Sequence, residues 1–130
     1  APEKPCAISG SSDGALHVWM EGDEEQTYTA CTAGTAAGDG KLLGHVDQVT
    51  AICADFEQEM AISASLDRTL RVWEVRPTYM DCMRVLEGHT ASARTVVADF
   101  QMSRAMSAGA DEEARIWSLG CGQESGDARC

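Results

Sequence analysis

Serine, histidine and aspartate recur together in this chain, as His45, Ser63 and Asp67 and again as His89, Ser107 and Asp111. In each set the serine stands four residues before the aspartate. These are the residue types of a hydrolase triad, in which a hydroxyl nucleophile is activated by an imidazole base held in place by a carboxylate. A triad, however, serves one active site and is defined by geometry and role. Here the same trio occurs twice at the same spacing, so the reading from sequence is scaffolding and not catalysis. A third set is partial: Ser9 and Asp13 keep the interval, but no Gly-His precedes them. Six residues after each aspartate comes a tryptophan, Trp19, Trp73 or Trp117, and the chain has no other.

The elements that would position these residues follow from the repeat. The stretches 7–19, 61–73 and 105–117 are near-copies of one phrase. Trp73 to Trp117, Gly44-His45 to Gly88-His89 and Phe56 to Phe100 are all steps of 44 residues. A period of about 40–45 residues, with Gly-His near one end and tryptophan near the other, is the pattern of a four-stranded propeller blade. Trp19 to Trp73 is longer, at 54 residues, and the excess falls in a Gly-, Ala- and Thr-rich stretch before Gly44.

Patterning predicts the strands. Residues 49–56, 61–65, 69–75 and 82–86 form one complete blade. Residues 94–100, 105–108 and 114–119 give a blade without its outermost strand. Residues 6–9, 16–20 and 26–31 give one without its innermost, with 26–31 preferred over 41–43 as the outer strand and 32–40 as a flexible loop. The expected fold is all-β, an open arc of about ten antiparallel strands in blades at 6–32, 44–87 and 88–119, followed by a disordered tail at 120–130. Closed propellers have about 4–8 blades. An open arc leaves strand edges free to pair, so self-association is expected. The third copy is degraded: Ala93 stands where Val49 does, Ala114 where Leu70 does, and Glu112-Glu113 replace a better turn, which predicts a looser core.

Composition narrows the partners. The net charge of −11 over 130 residues disfavours nucleic acid and anionic membranes and favours protein surfaces that are neutral or basic. No apolar run approaches the ~18 residues of a membrane span. The chain opens on Ala1 without a signal-like segment, as a processed product or excised segment would. Six cysteines, at 6, 31, 53, 82, 121 and 130, form no C-x-x-C pair and have no histidine at ligand spacing. Neither metal nor cofactor is expected. Reduced thiols suit the cytoplasm or nucleus, with Cys53 acting as a small hydrophobe.

Gly-His, Ser-x-x-x-Asp and a hydrophobic residue before Trp, in register at blade spacing, resemble the WD-repeat β-propeller family over residues 6–119. The resemblance implies a hydrogen-bonded chain within each blade: His45, Ser63, Asp67 and Trp73; His89, Ser107, Asp111 and Trp117; and, without a histidine, Ser9, Asp13 and Trp19. The chemistry suits the role. A buried indole N–H needs an acceptor, a hydroxyl accepts and donates onward, and imidazole links that hydroxyl to a turn carboxylate. His17, in the place of Arg71 and Arg115, reads as a solvated outward residue. The family resemblance further implies a non-enzymatic protein–protein interaction scaffold. Its contact face would include Asp47, Gln48, Leu66, Arg68, Ser92 and Ala110. Trp73-Glu74-Val75-Arg76 is similar to the box by which some WD-repeat proteins dock to the adaptor of cullin–RING ubiquitin ligases, with Arg76 as the carboxylate-binding group. A regulatory propeller segment of a larger signalling enzyme is the other alternative.

Overall fold

The computed structural model describes residues 4–21, 27–31, 45, 47–75 and 80–119. Ten strands lie in these residues: β1 (Lys4–Gly10), β2 (Leu16–Glu21), β3 (Thr27–Cys31), β4 (Val49–Asp55), β5 (Met60–Ser65), β6 (Thr69–Val75), β7 (Met80–Glu87), β8 (Ala93–Asp99), β9 (Arg104–Gly109) and β10 (Ala114–Ser118). They form three antiparallel sheets, ordered β1-β2-β3, β4-β5-β6-β7 and β8-β9-β10, with no helix and no ring closure among the described residues. The first sheet corresponds to β5-β6-β7 of the second, and the third to β4-β5-β6. The stretches 32–40 and 120–130, read from sequence as loop and tail, lie outside the described residues.

Side chains alternate between the two faces of a strand, and in the second sheet both faces are covered. Ile62, Ala64, Leu70 and Val72 point one way and pack with Ala93, Val96, Phe100, Ala105 and Trp117 of the third sheet and its flanks. Ala61, Trp73 and Val75 point the other way and pack with Leu16 and Val18 of the first sheet. With both faces covered, β5 and β6 are buried along almost their whole length, Ser63, Ser65 and Arg71 included. Backbone and hydroxyl bonds stitch the junctions. The Val49 amide donates to the Ser11 carbonyl at 3.1 Å, and the Thr50 hydroxyl to the Ala93 carbonyl at 2.7 Å.

Three sequence expectations need correction. Trp73 and Trp117 are fully buried, but Trp19 is 38% exposed. Each buried indole is covered by the sheet that precedes its own, and no described sheet precedes the first. The Arg71 position is not outward and solvated: Arg71 is buried, because in the second sheet this strand face lies beside the tryptophan against the first sheet, and His17 is half-buried at the corresponding place of the first. Finally, Ala114 does not loosen a core. It is exposed, on the face of the third sheet that points away from the second.

Candidate functional site

The polar residues singled out above meet at one end of the second and third sheets. The Trp73 indole N–H donates to Ser63 Oγ at 2.8 Å, and Ser63 Oγ lies 2.6 Å from His45 Nε2. His45 Nδ1 lies 2.9 Å from Asp67 Oδ2. In the third sheet Trp117 donates to Ser107 Oγ at 2.8 Å, Ser107 Oγ lies 2.7 Å from His89 Nε2, and His89 Nδ1 lies 2.9 Å from Asp111 Oδ2. One assignment satisfies every group. With the ring proton on Nδ1, the serine hydroxyl donates to Nε2 and the imidazole Nδ1–H donates to the carboxylate. Both histidines and both serines are buried. In the first sheet Trp19 still donates to Ser9 Oγ, at 3.0 Å, but in an exposed setting and with no histidine beyond it.

The aspartates hold the turns. The amide two residues on donates to each carboxylate: Ala15 to Asp13 at 2.9 Å, Thr69 to Asp67 at 2.8 Å and Glu113 to Asp111 at 3.1 Å. Between aspartate and donor sits a residue with positive φ: Gly14 at 87°, Arg68 at 74° and Glu112 at 64°. Ser11, Ser65 and Gly109 accept the i+3 amide at 3.2 Å, so each link is a three-residue hairpin loop whose last residue is left-handed. Thr69, which sequence reasoning passed over, adds a hydroxyl donor to Asp67 at 2.6 Å; the third copy has Glu113 there.

These bonds set the carboxylate titration. Burial alone raises Asp67, but the hydrogen bond from His45 and those from Thr69 outweigh it and hold the carboxyl well below its ordinary range. Burial likewise opposes ionisation of Asp111, and the bonds from His89, the Thr90 amide and the Glu113 amide bring it down to about 2. Asp13 is lowered chiefly by the Ala15 amide, with Ser11 assisting.

The residues assigned to a contact face lie around this network. The Leu66 amide donates to the Gln48 carbonyl at 2.9 Å and the Ala110 amide to the Ser92 carbonyl at 2.8 Å. Each pre-strand loop is thereby tied to the hairpin of its own sheet. Asp47, Gln48, Arg68 and Ala110 are exposed; Leu66 and Ser92 are half-buried. In the adaptor-type box Trp73 and Val75 are buried, and Arg76 lies outside the described residues. Gly10-Ser11-Ser12-Asp13-Gly14 matches the Gly-x-Ser-x-Gly string of a nucleophile elbow, a match the sequence reading overlooked. It forms the β1–β2 hairpin rather than the strand-to-helix turn that the elbow requires.

Stacked antiparallel sheets of up to four strands, the second and third tied internally by the same Trp–Ser–His–Asp relay, define propeller-type blades. The profile of the "WD domain, G-beta repeat" family matches residues 38–74 and 80–118, and the chain belongs to that family. It is 32% identical over 68 residues to Cell division control protein 4 of Saccharomyces cerevisiae, covering 52% of this chain and 7% of the relative. It is 30% identical over 76 residues to the small ribosomal subunit protein RACK1 of Schizosaccharomyces pombe, covering 58% of this chain and 22% of the relative. The chain therefore matches only a small part of either relative's length. Its fold resembles two computationally designed proteins. The Ika8 crystal structure superposes with TM-score 0.64 at 23% identity, covering 90% of this chain and 31% of that one. Ika4 gives 0.63 at 21%, covering 87% and 59%.

Proposed function

We propose that this chain is a non-catalytic scaffold that presents the hairpin end of its sheets to other proteins. WD repeats indicate a protein-interaction scaffold at the level of the family. The observation that carries the reading here is the division of labour at that end. His45, Ser63, His89 and Ser107 are buried and have their hydrogen bonds taken by one another. Asp47, Gln48, Arg68 and Ala110 stand around them in solvent on backbone held by cross-loop bonds. A rigid rim of this kind binds with little ordering cost. The net charge of −11 favours neutral or basic segments as partners. We place this function in a reducing compartment, cytoplasm or nucleus, where Cys53 and Cys82 stay as the free thiols they are in the fold.

The test is selection of a displayed random-peptide library on the intact chain. Selected peptides should be neutral or basic, should lose affinity with Gln48→Ala and Asp47→Lys, and should keep it with Glu57→Ala at the opposite end of the second sheet. Peptides insensitive to Gln48 and Asp47, or selected against Glu57, would reject this face.

A further inference from the structure

Two residues of opposite charge stand where left-handed backbone favours glycine. Among the described residues, four that carry side chains have positive φ: Glu59, Arg68, Ser103 and Glu112. Glu59 and Ser103 are half-buried, whereas Arg68 and Glu112 are exposed. These two occupy equivalent positions in the β5–β6 and β9–β10 hairpins, 44 residues apart, and the β1–β2 hairpin has Gly14 there. Left-handed backbone strains any residue with a Cβ, and glycine would relieve that strain. Nothing inside the molecule offsets it: among the described residues neither the Arg68 guanidinium nor the Glu112 carboxylate makes a hydrogen bond or ion pair.

The other charges of the same two hairpins are committed. Asp67 and Asp111 are bound to His45 and His89, and Glu113 to Arg115 at 2.8 Å. Each hairpin therefore presents one uncommitted charge, positive on the second sheet and negative on the third. The two sheets pack face to face through Ile62, Val72, Val96 and Trp117, and sheets so packed lie about 10 Å apart. An extended segment advances about 3.3 Å per residue, so about three residues carry it from one hairpin to the next. The Asp47–Gln48 loop adjoins the positive hairpin, held by the bond from the Leu66 amide to the Gln48 carbonyl.

We propose that Arg68 and Glu112 read a charge pair in a bound extended segment: an aspartate or glutamate against Arg68, and a lysine or arginine about three residues away against Glu112. The planar guanidinium suits a carboxylate, which it can grip through two parallel bonds. A second basic residue beside Asp47 leaves the segment neutral or basic. The proposal rests on the hairpin rim as the contact face and adds the sign and spacing of what the rim recognises. The strain at the two positions is then the cost of presenting charge, since glycine would suit the hairpins better and recognise nothing.

The experiment uses peptides selected from a displayed random library on the full chain, kept only where Gln48→Ala weakens them. Their sequences should be enriched in an acidic and a basic residue about three positions apart. Arg68→Gly and Glu112→Gly should each weaken such a peptide by about two- to fivefold at low salt, the range of exposed ion pairs, and by less at high salt. Urea midpoints of both variants should stay level or rise, so the loss is not one of folding. Neutralising the peptide's acid should abolish the effect of Arg68→Gly while leaving that of Glu112→Gly. Arg68→Glu combined with Glu112→Arg should prefer the peptide with its acidic and basic residues exchanged. Gln48-dependent peptides that lack the interval, or that have it and ignore both substitutions, overturn the proposal and leave the rim reading standing. Peptides indifferent to Gln48 and Asp47 remove the rim reading and this one with it. A lowered urea midpoint in either variant also overturns it, by giving the side chain a role in the fold.

Discussion

Gly14 in the first sheet lies against the backbone of His45 at the entrance to the second. A Cβ added to Gly14 would collide with the His45 carbonyl oxygen and stand 2.9 Å from that of Asp47, at a φ of 87°. The junction between the sheets thus passes through a residue that must be glycine, both for its left-handed backbone and for the approach of a neighbouring chain segment.

Gly14→Ala should therefore destabilise the chain by more than the ~1 kcal/mol of the left-handed penalty alone, because backbone atoms cannot rotate aside. The loss should be read as a lower urea midpoint. An unchanged midpoint would mean that the first sheet contributes nothing to the fold.

At the equivalent position of the third sheet the sign reverses. Glu112 has φ 64° with a side chain to strain, and Glu112→Gly should stabilise by about 0.5–1 kcal/mol, the left-handed penalty less the entropy glycine loses on folding. Thermal unfolding of the single variant decides it.

Ser63→Ala removes the acceptor of Trp73 and the donor to His45 in a buried setting. The cost should be about 1–3 kcal/mol for each group left unsatisfied. Ser107→Ala should behave alike. Ser9→Ala should cost about 0.5 kcal/mol or less, because water replaces the hydroxyl for the exposed Trp19. Comparable losses at all three serines in urea titrations would contradict the role assigned to burial.

Acid stability should depend on Asp67 and Asp111. Both titrate lower in the folded state than the ~3.9 of an unfolded aspartate, so the unfolded chain binds the extra proton. Their contribution is complete above that value and is lost as pH falls, down to about 2 for Asp111 and lower still for Asp67. Asp111→Asn should flatten the acid limb of an unfolding curve between pH 4 and 2 while lowering neutral stability. An unaltered acid limb would refute the linkage.

The fold was legible because period and strand patterning agree. The 44-residue step, the Gly-His pairs and the alternating runs of 49–75 allow one arrangement of antiparallel blades. The spacing of Ser63, Asp67 and Trp73 also reveals which residues share a sheet. Thr69 was harder to see, because its hydroxyl bond to Asp67 depends on the hairpin's three-residue loop and the third copy has glutamate in its place. The exposure of Trp19 and the burial of Arg71 were not legible at all. Both depend on which side the neighbouring sheet occupies, and a repeat read one copy at a time contains no such information.

That one-sided cover gives the molecule a direction. Trp73 is kept dry by Leu16 and Val18 before it, and Trp117 by Ile62 and Val72 before it. Loss of the first sheet wets an indole and weakens the relay of the second; loss of the third bares only aliphatic side chains and leaves the Trp73 relay intact. Damage should thus propagate along the chain from its start more readily than back from its end, as in a row of dominoes that falls one way.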